Sequence, residues 1–201
     1  MITPRLSGRR ARARGFTLIE LMVTLAIAAV LAVLAAPSIR DFLIRNQMAN
    51  ISNEFAGSIM RARNEAASKN TCVSMCMSAT AGGSATPSCK TTGDPDWQQG
   101  WILFLNEACD SSVTTPALDD IIAARNSSGS QYTLMASTGS TPPKKLMFTP
   151  SGRLNALAGA NMFVLDINGA DSDTSFKYGS NICLDKMGRT RIIPYSQNSC
   201  S

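Results

Sequence analysis

The chain has no histidine among its 201 residues. That removes the commonest general base at neutral pH, and with it any Ser/His or Cys/His nucleophilic pair. Charge is scarce as well, at 16% of residues, and aromatics make up only 6%. No glycine loop of the phosphate-cradling kind occurs, and no internal repeat is visible. The acids at 94/96, 119/120 and 171/173 stand in turn-like stretches and read as turn formers rather than as a catalytic pair. A calcium loop around 166–173 lacks the closing bidentate glutamate and the glycine at its expected place. Cys72 and Cys76 have a spacing zinc tolerates, but neither a histidine nor a second close pair completes a site. The sequence therefore implies no enzyme, no metal and no cofactor.

The net charge of +5 does not describe the bulk of the chain. Five of the nineteen basic residues lie in the first fifteen positions, leaving fourteen against fourteen acids beyond them. Any affinity for nucleic acid must therefore come from a local patch.

Residues 16–36 form a single apolar run interrupted by one charge, Glu20. A helix needs about 20 apolar residues to cross the hydrocarbon of a bilayer. The arginine-rich, acid-free leader before the run keeps that end in the cytoplasm. A secretory signal would place its small cleavage residue after the apolar core; here Gly15 precedes it. A carboxylate inside the apolar run needs a partner. A cut between Gly15 and Phe16 would create an α-amine about one helical turn from Glu20, and in a helical stack that amine would neutralise the carboxylate of a neighbouring subunit.

The residues GFTLIELMVTLAIAAVLA resemble the processing signal of type IV pilins and type II secretion pseudopilins. The resemblance implies cleavage after Gly15 by a prepilin peptidase, methylation of Phe16, and docking of subunits through Glu20. It gives four segments: a cleaved cytoplasmic leader at 1–15, a transmembrane and filament-core helix at 16–36, an amphipathic helix half at 37–70, and a β-rich globular part at 71–201.

Past Pro37, which should bend the helix, apolar residues recur at Ile39, Phe42/Leu43, Met48, Ile51, Phe55, Ile59, Ala62 and Ala66, one stripe of a helix ending near Lys69. Arg40, Arg45, Arg61, Arg63 and Lys69 form its solvated face. After Asn70, short runs at 71–77, 100–105, 131–135, 145–148, 161–167, 181–184 and 189–194 read as antiparallel strands between loops at 79–96 and 110–120. A helix followed only by strands gives an α+β, pilin-like layering, with the sheet covering the stripe.

The order of these segments resembles the GspH/FimT branch of minor pilins. Trp97/Gly100/Trp101, Phe148/Pro150/Gly152/Arg153 and Gly188/Arg189 carry the likeness. Minor pilins of the FimT type bind DNA in natural transformation through a C-terminal G-R-x-R, which Gly188-Arg189-Thr190-Arg191 matches. With Lys186 nearby, two guanidiniums two residues apart suit a phosphate backbone, read electrostatically and without sequence preference. The same residues also suit an edge strand blunted by charge.

Six cysteines beyond the anchor point to disulfides outside the cytoplasm, with fifteen possible pairings. A Cys183–Cys200 bridge would flank the basic segment and fix its presentation, and a Cys76–Cys89 bridge would close the glycine-rich loop. The expected partners are the prepilin peptidase/methyltransferase, other pilins through the N-terminal helix, double-stranded DNA, and the bacterial inner membrane, spanned once with the C-terminal part in the periplasm. Rival readings are a GspH-type pseudopilin of type II secretion, a pilus-priming subunit without DNA binding, and an adhesin working through the 79–96 loop.

Overall fold

The computed structural model describes residues 15–83, 86–127, 129–137, 142–155 and 161–200. Two compact units divide the chain, Met1–Leu43 and Ile44–Ser201. Helix α1 (Leu18–Lys69) runs through Pro37 and contributes to both. It begins two residues later than the apolar run suggests because Thr17 caps it: the Glu20 backbone N–H donates to Thr17 Oγ1 at 3.2 Å. It ends where Asn70 turns left-handed at φ 51°.

In the first unit the apolar side chains lie open, Phe16 at 82% and Val33 at 73% exposure. Among the described residues one helix is long and apolar enough to cross a membrane, and this is it. Ile39, Phe42 and Leu43, expected on the buried stripe, are exposed here. The burial begins only at Met48, within the second unit.

That unit packs the helix residues Met48, Ile51, Phe55, Ile59, Ala62 and Ala66 against two antiparallel sheets. The first sheet is built from β1 (Val73–Met77), β2 (Gly100–Leu105), β3 (Ile121–Asn126) and β5 (Lys145–Phe148), in the order β3-β2-β1-β5. The second joins β4 (Tyr132–Ala136), β6 (Asn161–Ile167), β7 (Ser180–Leu184) and β8 (Thr190–Pro194), in the order β4-β6-β7-β8. Phe55 sits at the centre, edge-on to Trp97, Trp101 and Phe163 at 4.9–5.4 Å. Both indoles find acceptors, Trp97 on the Pro143 carbonyl and Trp101 on Ser58 Oγ. Between them Gly100 takes φ 115°, and a Cβ there would stand 2.7 Å from the Arg125 carbonyl. The W-x-x-G-W run is therefore a core element.

The first sheet is covered on its outer face too. Cys76, Ile102 and Phe104 form a second small core with Cys89 and Val113 packed on it. Disulfides Cys76–Cys89 and Cys72–Cys109 fasten the overlying loops to β1 and its approach. Lys145 stacks over Phe104 and donates to the Ser111 and Val113 carbonyls, and burial pushes its pKa down.

Two elements depart from the expected layering. Helix α2 (Ser172–Tyr178) interrupts the run of strands; Asp171 starts it by accepting from the Thr174 N–H. β3, at the edge of the first sheet, occupies residues not read as a strand from sequence. Asp166 accepts from Ser175 Oγ, so both acids serve local structure, and no cluster of possible metal ligands occurs among the described residues.

Candidate nucleic-acid interface

The basic tail falls on the β7–β8 turn and on β8, which among the described residues has only β7 as a neighbour and so forms the edge of the second sheet. Asp185 organises the turn. One of its carboxylate oxygens accepts from the Met187 and Arg189 backbone N–H groups, at 2.8 and 2.9 Å. The other accepts from Arg189 Nε at 2.8 Å. Burial acts to raise the pKa of Asp185, but these hydrogen bonds and the guanidinium charge outweigh it and hold the carboxyl below its ordinary 3.8.

Gly188 is buried and left-handed at φ 73°; a Cβ would lie 3.0 Å from each of Arg63 Cδ, the Gly152 carbonyl and the Phe148 ring. It therefore shapes the turn instead of touching a ligand. Arg63, expected on the solvated helix face, is half-buried and donates from Nε to the Gly152 carbonyl. The helix thus holds the 149–153 turn against the 185–189 turn, and the Leu154 N–H to Lys186 carbonyl bond, 3.1 Å, joins them again.

Arg189 stands in the turn before β8, not within an extended run, yet both arginines line one depression of about 310 Å³ with Asp185, Thr190, Cys183 and Cys200. Arg191 pairs in register with Cys183. Cys183 is bonded to Cys200, which ties the C-terminal segment beside the arginines. Arg189, Arg191 and Lys186 are exposed. Cys76 lies on β1 of the other sheet and Cys89 in the loop bonded to it, so they take no part here.

Sequence order hid one further cation. Arg153, exposed on the neighbouring turn, directly precedes the residue whose N–H meets Lys186. Its only sequence signal was membership of the F-x-P-x-G-R run. Arg153, Lys186 and Arg189 then share two interlocked turns, with Arg191 following on β8, while Asp185 is the one carboxylate among the described residues lining the depression.

At the other end, Gly15, Phe16 and Thr17 precede α1 without regular structure. Glu20 sits in the first turn of the helix, where a carboxylate also meets the positive end of the helix dipole.

Residues 52–188 match the family model described as Type II transport protein GspH. The chain belongs to the GspH family. Residues 10–36 of this GspH-family chain match the prokaryotic N-terminal methylation motif. Among curated proteins, the type IV major alpha-pilin of Moraxella bovis is 44% identical over 43 residues, which is 21% of this chain and 27% of that protein. The chain thus spans about a quarter of the length of that relative. In fold it resembles the type IV minor pilin FimU of Pseudomonas aeruginosa, with TM-score 0.54 and 19% identity over 80% of this chain and 99% of that one. The minor pseudopilin EpsH of the Vibrio cholerae type 2 secretion system aligns with TM-score 0.44 and 10% identity over 74% of this chain and 98% of that one. Family and motif together make this a membrane-anchored pilin-like subunit, not an enzyme.

Proposed function

We propose that this GspH-family chain is a FimT-like minor pilin that binds extracellular double-stranded DNA for uptake in natural transformation. Its leader is cut after Gly15, Phe16 is methylated, and Glu20 docks the helix among other pilins. Before assembly the chain crosses the inner membrane with the β-rich unit in the periplasm. The observation that supports the DNA reading is the depression lined by Arg189 and Arg191, beside the contact of two turns that carry the exposed Lys186 and Arg153. Guanidiniums grip phosphate oxygens in bidentate fashion. Gly188 and Thr190 serve presentation, Gly188 through its turn and Thr190 beside the depression.

A gel shift of the detergent-solubilised full chain with double-stranded DNA tests it. Arg189→Ala combined with Arg191→Ala should weaken binding by about tenfold or more, and the log–log salt slope should flatten by about 0.9 for each phosphate the variant no longer neutralises. An unchanged shift would remove the DNA function and leave the pilin assignment standing. The second reading, a pseudopilin of type II secretion, is favoured by the description of the matched family model. It requires no affinity for DNA.

A further inference from the structure

A basin of about 610 Å³ lies over the second sheet and adjoins the arginine depression, since Met162 of its lining pairs in register with Cys183. Its floor is the β6–β7 pair Val164 and Asn181; Ser172 and Phe176 of α2 form one wall, and Tyr195 and Asn198 of the C-terminal segment form the other. The walls are fixed before any ligand arrives. Tyr195 packs so closely on Gly179 that a Cβ there would stand 2.7 Å from its ring. Asn181 Nδ2 donates to the Tyr195 and Gln197 carbonyls at 3.2 and 2.8 Å, and the Cys183–Cys200 bond closes the segment beyond.

Three features of this basin have no structural use. Phe176 leaves 62% of its surface open although its ring meets Tyr195 edge-on at 5.6 Å. Asn181, only 2% exposed, has an Oδ1 that accepts no hydrogen bond from the protein, a costly omission for a buried acceptor. None of the described lining residues carries a charge, which favours a neutral ligand over phosphate, anionic lipid or an acidic peptide.

We propose that this basin binds a neutral saccharide. A sugar ring offers an apolar C–H face for Phe176, while its hydroxyls supply the donor that Asn181 Oδ1 lacks and pair with Asn198 and Ser172. The volume falls within the range of small-ligand sites, and a pre-formed wall lowers the ordering cost of binding. The site is independent of the DNA reading.

Saturation-transfer NMR on the full chain in a sugar-free detergent, with maltotetraose, cellotetraose, chitotetraose and mannotetraose as probes, tests it. At least one tetrasaccharide should bind. Phe176→Ala should weaken that binding by about tenfold, Asn198→Ala should weaken it less, and Arg189→Ala should leave it unchanged. Circular dichroism and a cooperative thermal melt like the wild type's confirm that the variants remain folded. Binding by none of the four, or equal binding by Phe176→Ala, would overturn the proposal. So would a photoreactive phenylalanine analogue at position 176 that crosslinks to another pilin in assembled filaments, because the basin would then be a subunit contact.

Discussion

Asp185 both builds the basic turn and opposes its proposed role as an anion site. Its ion pair with Arg189 holds the guanidinium in place, yet a phosphate must compete with that carboxylate. Asp185→Asn keeps an oxygen for the Met187 and Arg189 N–H groups and removes the charge. Gel shifts of this variant should show DNA binding tightened by roughly threefold, the scale of one exposed ion pair. Thermal melts should show a matching cost. The folded carboxyl titrates below its ordinary 3.8, so its contribution is present above that pH and is lost as the pH falls through the lower folded value. The stability gap between wild type and Asp185→Asn should therefore close in acid. At this scale the sequence was a mixed guide. The charges at 189 and 191 are visible in it, and the partner of Arg189 lies four residues back in the same turn, but the company of Arg153 depends on two turns meeting.

At the scale of elements, α1 is the part most legible in sequence, because its stripe from Met48 to Ala66 repeats at helical spacing and each of those residues is buried. Its single most consequential side chain is Phe55, fully buried among three aromatic rings. Phe55→Ala should cost about 4 kcal/mol in denaturant unfolding. The strands at 100–105, 145–148 and 161–167 announced themselves by apolar runs between turn residues. β3 did not, since an edge strand of half-buried Ile, Ala and Arg lacks a strong apolar pattern. Neither did α2, whose seven residues show no helical period and owe their start to one capping aspartate. The bridge from Cys183 to Cys200 is an element in its own right. Replacing both cysteines with serine should remove about 3 kcal/mol of stability, lower DNA affinity by loosening the depression, and leave the packing of the first sheet intact.

At the scale of the whole molecule, an open apolar helix and a well-packed β-rich unit divide the labour. Ile39, Phe42 and Leu43 extend the helical pattern of the buried stripe yet stand exposed, which suits the proposed packing against other pilins. This is why the sequence pattern overstated the buried stripe: periodicity reports that a face is apolar, not which molecule covers it. Glu20→Gln should leave membrane insertion unchanged, read by fractionation, and cut incorporation into filaments by about tenfold.

The hydroxyl of Thr17 closes α1 two residues past Gly15, so the winding of the chain stops short of the bond between Gly15 and Phe16. A peptidase acting at that proposed site would meet residues 15–17 outside the helix and need not unwind them. The proposed methylation of Phe16 would likewise act on an amine free of the helix's own hydrogen-bond ladder.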